Sequence, residues 1–174
     1  MRFNHKRWKS IQFPTHIIAG IVIQQLISIL IPTSFWLSLI LVVIFSFCSH
    51  FFLDALAKVT YHPPERIEDN FWLIWHIFVY AVRILLVLIF IWEYWIGMFF
   101  ANLPDLWDWY TLRKIGSRKK QPDWGKRYYL HPFADKIRSY LFFWLPNLNY
   151  NRTGILPELV LILGFLLFYR HILF

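Results

Sequence analysis

Two side chains near the end of a long apolar run have a spacing that suits a metal site. His50 and Asp54 stand four residues apart, in the stretch that begins at Ser49. On an α-helix this spacing puts both side chains on one face, one turn apart. An imidazole and a carboxylate so placed can bind one divalent ion, as two histidines on a helix bind zinc. The alternative is a plain hydrogen bond between the two side chains at the end of a helix.

Two further stretches put potential ligands at the edges of apolar segments. His16 stands at the start of the first apolar run, and Asp105 and Asp108 follow Pro104. On a helix that begins at Pro104 the two carboxylates share a face. Each acid also has a simpler explanation, Asp105 as a favourable charge in a first helical turn and Asp108 as an interfacial charge. Taken together, the stretches predict a His/Asp site for a divalent metal, with zinc first and manganese or iron as alternatives.

The composition indicates which class of protein carries these residues. Of the 174 residues 58% are hydrophobic and 21% aromatic, while only 16% are charged. These values lie far from those of soluble domains, and several runs are long enough to span a bilayer. We therefore predict an integral membrane protein built from packed helices. The single cysteine, Cys48, excludes an intrachain disulfide and a cysteine-rich zinc site.

The predicted architecture is all-α and polytopic, with one membrane domain over 1–174. The first two spans are joined by a tight turn, so they form a hairpin that returns His16 to the side of His50 and Asp54. The third apolar run is either one tilted span or two segments, 71–82 and 83–101. The predicted spans are 15–31, 35–58, 71–101 and 157–174, with a basic interfacial region over 102–154.

Positive charges predict how the chain is oriented. The formal net charge is +8, with four Lys or Arg in the N-terminal arm and nine in 103–138. If both basic regions face the cytoplasm, the chain crosses an even number of times between them, so 71–101 must enter and return. Anionic membrane lipids account for the charge more simply than nucleic acid does, because no nucleic-acid recognition fold accompanies it.

Other polar residues are candidates for catalysis or substrate binding. Asp108 is a candidate ligand or general base, and His131, which lies between basic residues, is the second catalytic candidate. With Arg127, His131 could contact an anionic headgroup. Arg83 interrupts an apolar run, where a charge is functional by default, and is a candidate substrate-binding residue.

Three motifs of this chain resemble those of a known family. They are Thr15-His16, Ser49-His50-Phe-Phe-Leu-Asp54 and Leu103-Pro104-Asp105-Leu-Trp-Asp108. The bacterial and archaeal membrane-bound metal-dependent hydrolases, sometimes called LexA-regulated, show a Thr-His, a Ser-His-x-x-Leu-Asp and a Leu-Pro-Asp-x-Asp. In that family the Pro-Asp motif precedes the Ser-His motif, whereas here it follows. The resemblance implies that these His and Asp residues are metal ligands or their neighbours.

Two functions are the main candidates, and a third is a transporter or channel element that uses Arg83 and Glu93. The first is a membrane-embedded hydrolase in which a metal-activated water attacks a phosphoester or related bond of a lipid-like substrate. The second is a non-enzymatic scaffold or complex subunit, whose aromatic and basic surface binds lipid, a protein partner or a second copy of the chain.

Overall fold

The chain folds into α-helices. The structure is a computed structural model that describes residues 13–61, 63, 69–112, 114–115 and 128–173. No strand occurs within these ranges, which confirms the all-α prediction. The five helices are α1 (Phe13–Leu30), α2 (Phe35–Leu56), α3 (Asn70–Asp105), α4 (His131–Leu141) and α5 (Ile155–Leu173).

Within the described residues, three stretches are long and apolar enough to cross a membrane. They are Phe35–Val59, Asn70–Leu112 and Arg152–His171, and a shorter apolar helix covers Pro14–Leu30. Large apolar side chains stand exposed along these helices; Leu88 is 68% exposed and Leu163 57%. A surface of this kind is unfavourable in water and favourable in lipid. The fold is thus consistent with an integral membrane protein.

Helix α1 is the central element of the bundle. Every side chain from Pro14 to Val22 is buried, as expected for a helix that is surrounded on all sides. The predicted hairpin with α2 is confirmed, because Nε2 of His16 lies 3.2 Å from Oδ1 of Asp54. The start of α1 and the end of α2 therefore lie together.

Helix α3 bends back on itself at Tyr94. This residue has φ −118° and ψ 18°, outside the helical region. Without a bend, Phe71 and Asp105 would be about 50 Å apart. However, Phe71 packs at 5.4 Å on Tyr61, and Tyr61 is too close in sequence to Asp54 to lie more than about 25 Å from it. Because Asp105 also lies beside the end of α2, both ends of α3 lie on one side of the bundle.

The side chain of Gln24 explains how the bend is tolerated. In a regular helix the amide of Gly97 would donate to the carbonyl of Glu93. Here the Gln24 amide group stands between them, donating to Glu93 O at 2.8 Å and accepting from Gly97 N at 2.8 Å. An inserted side chain is a known cause of sharp helix kinks. Gln24 thus satisfies both backbone groups, which would otherwise have no partner in a lipid environment.

Two glycines allow α1 and α3 to approach at the bend. A Cβ atom on Gly20 would overlap the backbone carbonyl of Gly97, and the reverse also holds. Small residues at such crossings are typical of helices that pack in membranes.

Replacing Gly20 with alanine is therefore expected to destabilise the fold by about 2 kcal/mol or more, because one helix must move away from the other. Gly164→Ala is the control, since a Cβ at that position meets nothing within 4 Å. Thermal unfolding in detergent would compare the two variants. Equal melting temperatures would contradict the close approach.

The structure differs from the sequence predictions in three places. The bend lies at Tyr94, not at the predicted break before Arg83. Helix α3 continues through Pro104 instead of beginning there, and a π-helix, Leu106–Leu112, follows it directly. The predicted interfacial region also contains an amphipathic helix, α4.

Candidate metal centre

Four segments of the chain bring their polar side chains to one point. His16 comes from the first turn of α1, and His50 and Asp54 from the last turns of α2. Asp105 ends α3 and His131 begins α4. All five side chains are at most 2% exposed, although they sit among apolar helices. Burying this much charge is costly unless the groups compensate one another or hold an ion.

His50, Asp54, Asp105 and His131 form the centre of this cluster. Each offers one ligand atom, and these atoms lie within 4.8 Å of one another, so the group could hold a metal ion. Nε2 of His131 is 3.1 Å from Oδ2 of Asp54 and 3.0 Å from Oδ1 of Asp105. Nε2 of His50 is 3.2 Å from Oδ2 of Asp54 and 4.0 Å from Oδ1 of Asp105.

The other ring nitrogens of the two histidines show which atoms are available to a metal. Nδ1 of His50 lies 2.8 Å from the carbonyl oxygen of Ala101, which can only accept a hydrogen bond. Nδ1 of His131 lies 2.6 Å from Oδ2 of Asp108. Both Nδ1 atoms therefore donate, and in a neutral ring the lone pair is left on Nε2. A histidine that binds a metal usually donates its other ring N–H to a carbonyl or carboxylate oxygen in this way.

Three of the four nitrogen–oxygen distances, 3.0 to 3.2 Å, fit ligands that share one ion, and the fourth, between His50 and Asp105, is longer at 4.0 Å. Two ligand atoms each about 2.1 Å from an ion are about 3.0–3.4 Å apart when adjacent. An Nε2 lone pair and a carboxylate oxygen repel each other unless a proton or a cation lies between them. Nε2 of His50 and Oδ2 of Asp105 are buried without a hydrogen-bond partner among the described residues. A divalent ion would satisfy these atoms and balance the charges of Asp54 and Asp105.

His16 and Asp108 flank the four central residues. The His16 ring stacks on His50 with centroids 4.2 Å apart, and its Nε2 faces the outer oxygen of Asp54. The Asp108 carboxylate accepts hydrogen bonds from the backbone amides of Leu130 and His131 as well as from the His131 ring. Asp108 therefore caps the start of α4 and fixes the orientation of the His131 ring.

Asp108→Asn is expected to weaken metal affinity by about 10–100-fold, the usual cost of losing a carboxylate that orients a histidine ligand. Asp135→Asn is a suitable control, because Asp135 is an exposed acid on α4 that pairs with Arg138. Titration of metal-free protein with zinc would measure both. Unchanged affinity in Asp108→Asn would show that the carboxylate does not support the ligand.

In the metal-free protein a proton is the natural occupant of the His131 ring. Burial alone would lower the pKa of His131, but hydrogen bonds to Asp105, Asp108 and Asp54 raise it to about 12 from an ordinary value of 6.5. Because the folded-state pKa is the higher one, the proton stabilises the fold fully below pH 6.5. This contribution is lost as the pH rises toward 12.

The metal-free protein should consequently become less stable on moving from pH 6 to pH 9, while metal affinity rises, because the ion and the proton compete for Nε2. Melting temperatures with and without zinc at the two pH values would test this. The stabilisation by zinc should be larger at pH 9. A smaller stabilisation at pH 9 would contradict the competition.

Arg138 braces α4 against the end of α2. Its guanidinium donates to the backbone carbonyls of Asp54 at 2.6 Å and Ala55 at 3.1 Å. A cation at the carbonyl end of a helix is favourable. The contact also holds His131 over Asp54. The sequence indicated only a basic residue, without its partner.

The two predicted substrate-binding residues, Arg83 and Arg127, are not among the described residues of the cluster. Arg83 is half-buried in the first part of α3, before the bend. Its role in substrate binding stays a prediction. Arg127 lies outside the described residues.

Comparison with protein families, with curated proteins and with solved structures finds no match to this chain. The chemistry of the cluster is therefore the basis for assigning a function to this chain.

Proposed function

We propose that this chain is an integral membrane hydrolase that uses a divalent metal, zinc first, to cleave a phosphoester or related bond of a lipid-like substrate. The observation that carries the proposal is the orientation of two histidines. Nδ1 of His50 donates to the Ala101 carbonyl and Nδ1 of His131 donates to Asp108, so that Nε2 of each ring faces the carboxylates of Asp54 and Asp105. The motif resemblance to membrane-bound metal-dependent hydrolases supports the same chemistry. In this proposal the N-terminus and 103–138 face the cytoplasm, and the substrate comes from the membrane.

The proposed roles follow from the contacts. His50, Asp54, Asp105 and His131 hold the ion, and Asp108 positions His131. Bound at this site, the ion would lower the pKa of a water molecule and polarise the phosphoryl group. Hydrolysis then joins the water oxygen to phosphorus, breaks the phosphorus–oxygen ester bond and transfers a proton to the leaving alkoxide.

His16 is the proposed group for handling that proton. If its Nε2–H donates to Asp54, Nδ1 keeps its lone pair, and Nδ1 is buried without a hydrogen-bond partner in the described part of the chain. A neutral imidazole next to the ligands suits a general base. His16 thus replaces Asp108, whose oxygens are occupied by α4, in the proton-accepting role.

A second function is favoured because the candidate ligands are almost completely buried. Catalytic metal sites keep an open position, whereas structural sites are closed by protein ligands. With ligands at most 2% exposed, the ion could instead serve as a clamp that joins α2, α3 and α4 in a non-enzymatic scaffold.

The first test is the metal content of detergent-purified protein, measured by elemental mass spectrometry. We expect about one zinc, manganese or iron per chain, lost in His50→Ala and Asp105→Ala. His76→Ala is the control, because His76 donates to the Trp72 carbonyl within α3 and contributes nothing to the cluster. Stoichiometric metal in both ligand variants, or no metal in wild-type protein after reconstitution, would overturn the proposal.

Hydrolysis is then tested on phosphatidic acid and on a phosphodiester lipid in mixed micelles. Phosphate or headgroup release that needs the metal and is lost in His16→Gln, with metal retained, supports the enzyme. Metal without turnover of either lipid, together with a melting temperature that depends on the metal, would favour the clamp.

A further inference from the structure

An apolar groove runs along the outer side of the metal cluster. We name it the α2–α4 groove; α2 contributes Phe47, Cys48, Phe51 and Phe52, and α4 contributes Phe133 and Lys136. Its volume is about 700 Å³, within the range of small-molecule sites. Apart from Lys136, these walls are almost entirely hydrocarbon or aromatic.

The groove shares its walls with the metal cluster. Phe51 is next to His50 in sequence, and their rings are 5.7 Å apart, edge to face. Phe51 in turn packs edge to face on Phe133 at 5.2 Å, two residues after His131. One face of α2 therefore holds ligands, and the adjacent face forms the groove.

The groove is also continuous with the lipid-facing surface. It lies on the stretch Phe35–Val59, which is apolar enough to cross a membrane. Phe52 is 49% exposed and Phe45, on the same helix, 54%. A hydrocarbon chain can enter from the bilayer without crossing water, whereas a polar ligand would have to give up its hydration.

The exposed ammonium group of Lys136 supplies charge at this otherwise apolar site. A cation beside an apolar groove is complementary to a lipid that carries a phosphate next to its acyl chain. From these observations we infer that the α2–α4 groove binds one acyl chain of an anionic phospholipid, with Lys136 at its phosphate, and so presents that lipid to the metal centre. That this lipid is a substrate rests on the proposed function, whereas the binding of the lipid in the groove does not.

Photo-crosslinking tests the groove directly. Full-length protein in detergent is mixed with phosphatidic acid that carries a diazirine on one acyl chain, then irradiated, digested and sequenced by mass spectrometry. Adducts should concentrate on 47–52 and 129–137. Adducts spread evenly over the exposed faces of α2, α3 and α5 would mean ordinary boundary lipid and would overturn the inference.

Two variants and their controls sharpen the test. Cys48→Trp fills the groove and should reduce these adducts about tenfold, whereas Leu88→Trp, at an exposed position of α3, should not. Lys136→Gln should reduce them about fivefold, and Lys114→Gln should not. Because Lys136 is exposed on α4, its substitution leaves the helix core intact, and equal labelling in Lys136→Gln would contradict the phosphate contact.

Metal content of the same samples separates the two proposals. Groove adducts without metal would support the lipid site and contradict the hydrolase. Metal with evenly distributed adducts would contradict the groove and leave the hydrolase in place.

Discussion

Asp54→Asn is expected to abolish stoichiometric metal binding, lowering the affinity by more than about 100-fold, since even the loss of a group that only orients a ligand costs about 10–100-fold. The carboxylate of Asp54 lies within 3.2 Å of Nε2 of His16, His50 and His131. Asparagine keeps the shape but removes the negative charge and one ligand oxygen. Elemental analysis and zinc titration of the purified variant would measure the loss.

Asp135→Asn again serves as the control, and it should keep about one ion per chain. Retention of the ion by Asp54→Asn at wild-type affinity would show that the three histidines are not organised around this carboxylate. Loss of the ion in both variants would instead point to a general loss of structure, which thermal unfolding would detect.

Gln24→Leu is expected to have the largest effect on the fold, about 2–6 kcal/mol of unfolding free energy. The substitution leaves the carbonyl of Glu93 and the amide of Gly97 without their side-chain partner, and each unsatisfied group costs about 1–3 kcal/mol where lipid instead of water surrounds it. Because the bend directs the second half of α3 toward the cluster, metal binding should fall as well. Chemical unfolding in detergent and metal content are the two readouts.

Gln25→Leu is the matched control, one residue along the same helix. Gln25 accepts one hydrogen bond from the Tyr94 hydroxyl, which also contacts the Tyr169 hydroxyl. We expect a loss of about 1 kcal/mol and unchanged metal content. If Gln24→Leu is no worse than Gln25→Leu, the inserted amide does not support the bend.

Local spacing predicted the α1–α2 hairpin and the pairing of His50 with Asp54. Both depend only on helix periodicity and on two runs of similar length. The return of α3 was predicted only indirectly, from the count of basic residues on either side of it. The position of the bend could not be predicted, because it depends on Gln24, which lies 70 residues before Tyr94 in the sequence.

His131 was the candidate ligand hardest to recognise from the sequence. In the sequence it appears in a polar, basic stretch, where a solvated histidine is the ordinary expectation. One local signal was present, because Pro132 favours the first turn of a helix and indicates that His131 begins one. Its contacts with Asp54, Asp105 and Asp108 come from three other positions in the chain. No pattern in a single sequence predicts contacts between residues so far apart in the chain.

The order of these segments along the chain has a consequence for biogenesis. During synthesis α1 emerges before α3, so Gln24 is already present when the residues around Tyr94 arrive. The last of the four candidate ligands, His131, is made after Asp54 and Asp105, and until it arrives these two carboxylates have an incomplete set of partners. An ion held by all four residues could be fully coordinated only after residue 131 has left the ribosome. Metal loading would then come late in membrane insertion, as the event that fixes α4 against the earlier helices.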